Sequence, residues 1–320
     1  MSTGSLRIGT RASALALWQA NRVADLIRAQ PGAPAVELVH IKTEGDLRTD
    51  IPLWAAGGRA FFTKEIDRAQ LAGDVDIAVH SLKDLSTLIA DGLELAAVLE
   101  REDPRDALLT RHGASLKDLP KNARVGTSSL RRRAFLLRAR PDLTLLELRG
   151  NVPTRIERLE QGKYDAIVLA TAGLKRLDLA AHIAAYIEPQ VMPPAVSQGA
   201  IGVCARAGDE AALRWLRPLD HAATRLAVTA ERALLRRIEG GCQVPLGALA
   251  DVAGSTLHLS AGVCALDGTR SIDCLEQAPL GTTPLADAAA LGLRVAEQLL
   301  ARGAATVIAE QRRPASQDLP

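Results

Sequence analysis

A chain of 320 residues is long for one core and predicts two or three domains of about 100–150 residues each. Hydrophobic residues at 48% supply those cores, and 24% charged residues with a net charge of only +2 exclude disorder and a generic nucleic-acid coat. No apolar run opens the chain and no segment reaches the roughly 18 uninterrupted apolar residues of a membrane helix, so a soluble, cytoplasmic protein is expected.

Leu6–Thr10 reads as a first strand, with Ser13 as the N-cap of a helix over 14–28. Further strands fit 36–41, 75–79 and 94–99, and the charged run Glu100–Asp106, with its proline and no apolar residue, reads as a connector. Then 124–126, 144–148 and 165–169 read as strands, with helices over 128–140 and 153–161 between them, which is a βαβαβ unit. The Pro/Gly-rich stretch 192–199 precedes an apolar run, 200–204, that could carry the chain back to the first domain. After a periodic helix over 220–237 come short strands at 247–252, 257–265 and 270–275, a turn at Asp267-Gly268, a helix over 285–301 and a loose tail from 311. The fold class expected is α/β for the first two domains, with a small α+β domain at the C-terminus.

In α/β domains of this kind, ligands bind at the carboxyl ends of strands, where helix N-termini offer unpaired N–H groups. Arg11 and Ser13 follow the first strand, Lys83 and Asp84 the third, and Thr127, Ser128 and Ser129 the strand at 124–126. Arg131, Arg132 and Arg133 open the next helix, where the macrodipole disfavours cations unless an anion offsets them. Arg149, Arg155 and the Lys175-Arg176 pair complete the set. Arginine's planar fork suits carboxylates and phosphates, and no GxxxxGK[ST] or GxGxxG element opens a helix, which favours carboxylates. With eight aromatics and no aromatic-interleaved basic run, nucleic acid is disfavoured as a partner.

Asp84 is the lone carboxylate in this basic setting, suited to stabilise a developing cation or to bind an N–H group. Cys242 lies in Glu239-Gly240-Gly241-Cys242-Gln243-Val244-Pro245, where two glycines clear the approach to the thiol. The other cysteines, Cys204, Cys264 and Cys274, show no CxxC spacing with it, and with six scattered histidines no disulfide framework or metal site is expected.

Five motifs in order, Arg7–Ala16, Asp76–Asp84, Val125–Arg132, Leu148–Val152 and Glu239–Pro245, are similar to those of the porphobilinogen deaminase (hydroxymethylbilane synthase) family over nearly the whole chain. The resemblance implies two domains with the architecture of type II periplasmic binding proteins, an active site in the cleft between them, and a third domain. It implies the boundaries 1–99 with 200–217, 105–193 and 220–312, with hinges at 100–104 and 194–199. It implies a dipyrromethane cofactor joined to Cys242 by a thioether, and four porphobilinogen units added in turn with loss of ammonia, releasing hydroxymethylbilane. Lys83, Thr127, Ser128, Ser129, Arg131 and Arg132 should hold the cofactor. Arg11, Ser13, Arg149, Arg155 and Arg176 should hold the substrate or growing chain, and Asp84 is the expected catalytic residue. A monomer is expected.

Three places depart from the family pattern. Leu85-Ser86 stands where Val-Pro is usual, Arg59-Ala60 where Lys-Gly is usual, and Ser197 where glycine is often found. The rival reading is a two-lobed binding protein for a polycarboxylate ligand, which would use neither Asp84 nor the Cys242 loop.

Overall fold

The computed structural model describes residues 5–47, 63–111, 115–238 and 244–311. The chain begins with β1 (Leu6–Thr10), α1 (Ala14–Arg28), β2 (Val36–His40), α2 (Glu44–Leu47), α3 (Lys64–Ala72), β3 (Ile77–Ser81) and β4 (Leu93–Val98). Next come β5 (Asp106–Thr110), β6 (Arg124–Gly126), α4 (Leu130–Ala139), β7 (Thr144–Leu146), α5 (Val152–Glu160), β8 (Ala166–Ala170), α6 (Thr171–Arg176) and β9 (Ala185–Ile187). The last part holds β10 (Ile201–Arg206), α7 (Glu210–Leu216), α8 (Ala222–Arg237), β11 (Leu246–Ala253), β12 (Thr256–Cys264), β13 (Ser271–Pro279), α9 (Pro284–Ala301) and α10 (Ala304–Gln311). They fall into two compact units, one of Met1–Pro104, Ala170–Ala181 and Ser197–Arg225, the other of Arg105–Leu169, His182–Val196 and Leu226–Pro320.

The first unit is built on a five-stranded sheet in the order β2-β1-β3-β10-β4. β1 runs parallel to β2 and β3, whereas β10 lies antiparallel between β3 and β4. Ser13 caps α1 by accepting from the Ala16 N–H, and Ala20, Val23, Ala24 and Ile27, spaced for one helix face, are buried against Leu6, Ile8, Ile77 and Val79. β3 starts two residues later than the apolar pattern suggests. Val75 lies ahead of the ladder and packs where a Cβ on Gly9 would point, and the strand continues to Ser81, which pairs with Ile201 of β10.

The return of the chain into this unit is tightly specified. Ser197 is fully buried with φ of 62°, left-handed backbone that glycine adopts freely and an L-residue holds at a cost of about 1 kcal/mol, which accounts for the usual glycine there. Gly199 has φ of +91°, and a Cβ on it would sit 2.3 Å from the carbonyl oxygen of Glu102. Gly199→Ala is therefore expected to destabilise the protein by about 2–3 kcal/mol, read as a lowered urea midpoint; an unchanged midpoint would show that the two crossing segments can part without loss.

In the second unit the order is β7-β6-β8-β5-β9, with β6 parallel to β7 and β8. The arrangement repeats that of the first sheet: three strands linked through helices lie second, first, third, and a strand arriving from elsewhere in the chain takes the fourth place. This is the α/β class expected. Ser129 caps α4 and Asn151 caps α5, each accepting from the N–H three residues on. β5 was not legible as a strand start, because Asp106 reads as the end of a charged connector; it is fully buried. The helices α3, α6, α7 and α10 and the strand β9 also go beyond the pattern reading.

A separate antiparallel sheet, β11-β12-β13, carries long registers from Leu246↔Val263 through Thr256↔Pro279. Its inner face packs on α8, α9 and α10 through Ala230, Leu234, Leu259, Leu291, Val295 and Ile308. The Asp267-Gly268 turn forms as expected, Asp267 accepting from the Thr269 N–H and hydroxyl.

Candidate active site

In the first unit Arg11 and Ser13 follow directly on β1, and Lys83 and Asp84 directly on β3. Gln19 on α1 and Ser81 at the end of β3 exchange hydrogen bonds of 2.8 and 3.1 Å, fixing the helix to the strand just before the Lys83-Asp84 turn. That turn is a 3-10 element over Leu82–Asp84, anchored by buried Leu82, whose N–H donates to the Ala200 carbonyl. Lys83 Nζ lies 3.3 Å from Gln198 Oε1. Gln198 is itself held, its Nε2 donating to the Pro104 carbonyl and its own carbonyl accepting from Arg101 Nε, both at 2.8 Å.

Asp84 is half-buried, and no hydrogen bond or ion pair among the described residues engages its carboxylate. Beyond it, Leu85 is buried in extended backbone (φ −82°, ψ 128°), and Ser86 Oγ accepts from the Leu88 N–H at 3.1 Å. A hydroxyl-held turn thus stands where the family usually has proline.

Arg176 comes from the last turn of α6, one short helix beyond the end of β8. It is 7% exposed, its Nη2 donates to the Gly199 carbonyl, and among the described residues no carboxylate forms an ion pair with it. Burial pushes its pKa down to about 10, opposed by Glu102, so it remains a cation at neutral pH. Its neighbour Lys175 is satisfied differently, 3.0 Å from Glu102 and 3.6 Å from Asp103. His80, on β3, is held neutral: burial first, then the charge of Arg11, lower its pKa to about 4, and its Nε2 meets no hydrogen-bond partner among the described residues.

In the second unit, Ser128 Oγ donates to the Leu148 carbonyl at 2.6 Å and accepts from its N–H at 3.2 Å, joining the ends of two strands. Thr127 Oγ1 accepts from the Ser129 N–H at 3.2 Å. Arg131 and Arg132 are buried and share one carboxylate: Asp106 Oδ2 lies 2.8 Å from Arg131 Nη1, and Oδ1 lies 2.8 Å from Arg132 Nη2. Arg131 Nη1 also donates to the Pro193 carbonyl at 2.7 Å, and Arg132 Nη1 to that of Val168 at 2.8 Å. Burial lowers the Arg131 pKa, with Asp106 opposing and Arg132 assisting.

An anion was expected to offset these helix-opening arginines. The chain supplies one itself, leaving the cluster with a single net positive charge. Local sequence could not reveal this, because the partner lies 26 residues upstream of Arg132.

Arg149 is half-buried at the end of the loop after β7, its carbonyl accepting from Arg158 Nη1 at 2.9 Å, and Arg155 Nε donates to the Gly150 carbonyl at 2.7 Å. Cys242, with Glu239–Gln243, lies outside the described residues, as do Arg59 and Ala60. The sequence between Ile238 and Val244 joins α8 to β11, and both of those residues are buried in the core of the third sheet.

Of the described residues, Gln19, Trp18, Asp106 and Gln198 contact Ser81, Arg176, Arg132 and Lys83 respectively and were missed by sequence reasoning. Gln19 and Trp18 stood inside an amphipathic helix and gave no separate signal. Among the described residues, no cluster of His, Cys, Asp and Glu is placed to hold a metal, and no helix is long and apolar enough to cross a membrane.

The chain matches two family models: "Porphobilinogen deaminase, dipyromethane cofactor binding domain" over residues 6–214 and "Porphobilinogen deaminase, C-terminal domain" over residues 225–301. The porphobilinogen deaminase of Geotalea daltonii is 49% identical over 311 residues, covering 97% of this chain and 96% of its own. That of Syntrophotalea carbinolica is 50% identical over 309 residues, with 97% and 96% covered, and that of Roseiflexus sp. 50% over 305 residues, with 95% and 99%. Among solved structures, a TRAP periplasmic solute binding protein from Desulfovibrio salexigens covers 68% of this chain and 73% of its own at 12% identity and a TM-score of 0.42, a likeness too slight to decide anything. Sequence identity near one half over almost the entire length, with both family models matched in order, establishes that this chain belongs to the porphobilinogen deaminase family.

Proposed function

We propose that this chain is a hydroxymethylbilane synthase that joins four porphobilinogen molecules on a dipyrromethane carried by Cys242, with Asp84 as its catalytic residue. The observation that carries the site assignment is the contrast between two groups in the first unit. Among the described residues, Asp84 offers a carboxylate that nothing engages, and Arg176 is a buried cation with no ion pair. A buried charge without a close ion pair is costly, and the charge of Glu102 offsets burial only in part, so Arg176 is suited to a ligand carboxylate.

The donor set fits a ligand carrying several carboxylates. Arg131 and Arg132 retain one net positive charge beside Asp106, and their remaining N–H donors, with Thr127, Ser128, Ser129 and Lys83, are assigned to the cofactor. Arg11, Ser13, Arg149, Arg155 and Arg176 are assigned to the acetate and propionate of the substrate and the growing chain. The dipyrromethane, when attached, supplies the pyrrole carbon at which the chain is extended.

The protein's own part is electrostatic. The protonated aminomethyl group of porphobilinogen leaves as ammonia, which departs with the C–N bonding pair and leaves a cationic azafulvene. Asp84 offers its carboxylate to accept from pyrrole N–H and to hold that positive charge. The arginines neutralise the carboxylates so that this one negative charge is felt at the reacting ring.

The reading brings with it a monomeric cytoplasmic enzyme of three domains, at 1–99 with 200–217, 105–193 and 220–312, supported by three separate sheets. Porphobilinogen is its small-molecule partner.

The intact mass of the denatured protein tests the anchor. The unaltered chain is expected to carry a surplus equal to two linked pyrrole units, and Cys242→Ser to carry none. A surplus retained in the variant would place the anchor elsewhere. A protein unmodified even after incubation with porphobilinogen would favour a binding protein.

A further inference from the structure

We infer that Trp18 is a positioning residue for Arg176 and the aromatic wall on which a pyrrole ring of the substrate lies. The inference rests on the assignment of Arg176 to a substrate carboxylate. Trp18 sits on α1 with 37% of its surface exposed, whereas Ala20, Val23, Ala24 and Ile27 of the same helix are fully buried. The guanidinium carbon of Arg176 lies 5.6 Å from the centre of its ring, within reach of a cation–π contact.

Arg176 has few other constraints. Its one hydrogen bond among the described residues goes to the Gly199 carbonyl, through Nη2. The rest of its fork is set by what it packs on, and the Trp18 ring is the described aromatic it meets. The helix that carries the ring is tied down beside it, because the adjacent Gln19 makes two hydrogen bonds to Ser81, two residues before Lys83. The helix bearing Trp18 is thus joined to the strand that leads into Lys83 and Asp84.

The exposed part of the ring remains to be used. A pyrrole bearing acetate and propionate arms is a flat apolar disc with carboxylates at its rim. Its carboxylate would pair with Arg176 while the disc lies on the indole, and exclusion of water by the disc strengthens the cation–π contact beneath. An aliphatic side chain of similar size would keep the apolar contact and lose the quadrupole.

The experiment compares Trp18→Leu, Trp18→Phe and Arg176→Gln in the cofactor-loaded enzyme, reading KM and kcat for porphobilinogen, the intact mass and Tm. Trp18→Leu is expected to raise KM about fivefold, with kcat, Tm and the cofactor mass retained, and Trp18→Phe to bring KM back within about twofold. If Trp18→Leu leaves KM unchanged while Arg176→Gln raises it, the role of Trp18 is overturned and that of Arg176 stands. If kcat or Tm falls in Trp18→Leu without a change in KM, Trp18 is scaffold and the inference fails. If Arg176→Gln also leaves KM unchanged, the assignment of Arg176 to substrate falls, and this inference with it.

Discussion

Asp84→Asn is expected to lower turnover about a thousandfold while the fold and the covalent cofactor survive. The substitution keeps the shape of the side chain and removes its charge. A unit charge about 4 Å from a cation is worth about 4 kcal/mol at an effective dielectric of 20, which corresponds to a factor of roughly a thousand in rate. No hydrogen bond or ion pair among the described residues depends on this carboxylate, so Tm should move by no more than about a degree. Steady-state turnover, Tm and intact mass together decide the matter. Near-normal turnover would remove Asp84 from the catalytic role, and a collapsed Tm would make it a structural residue.

Asp106→Asn should act in the opposite manner, through stability. Asp106 is fully buried and holds two guanidiniums at 2.8 Å each, so its neutralisation leaves two buried cations side by side with no acid between them. Removing one partner from a buried charge cluster costs about 3–5 kcal/mol. If the cofactor's carboxylates lie on Arg131 and Arg132, they replace part of the lost counter-charge. The cofactor-free variant should then be destabilised more than the loaded one, as measured by urea unfolding of both forms. Equal losses in the two forms would detach these arginines from the cofactor and leave them as a structural ion cluster.

The fate of Asp106 shows where reading by sequence reaches its limit. The start of α1 was legible because its signal is local, Ser13 bonding an N–H three residues on, whereas α4 begins two residues later than read, after the Ser129 cap. The alternation of strand and helix marked most of both sheets, since buried parallel strands are continuous apolar runs. Short elements such as β5, β9 and α6 were missed, being three to six residues long and decided by their neighbours rather than by period. The candidate site was legible as a list of charges at strand ends. Which of those charges are already satisfied was not, because Asp106 and Arg132 meet across 26 residues, and Lys83 and Gln198 across 115. A charged residue in a connector and a charged residue in a core have the same letter.

The place of β10 in the first sheet bears on how the protein is made. β10 lies between β3 and β4, yet every strand of the second sheet is encoded between β4 and β10. A ribosome adding about 5–20 residues per second therefore leaves the first sheet without an inner strand for on the order of ten seconds. During that interval β3 and β4 both present unpaired edges, the condition under which nascent strands join the wrong partner. The N-terminal part of this chain cannot mature as it emerges; its completion waits for a strand read out near residue 206, and its early life is expected to depend on chaperone protection more than the order of its sequence suggests.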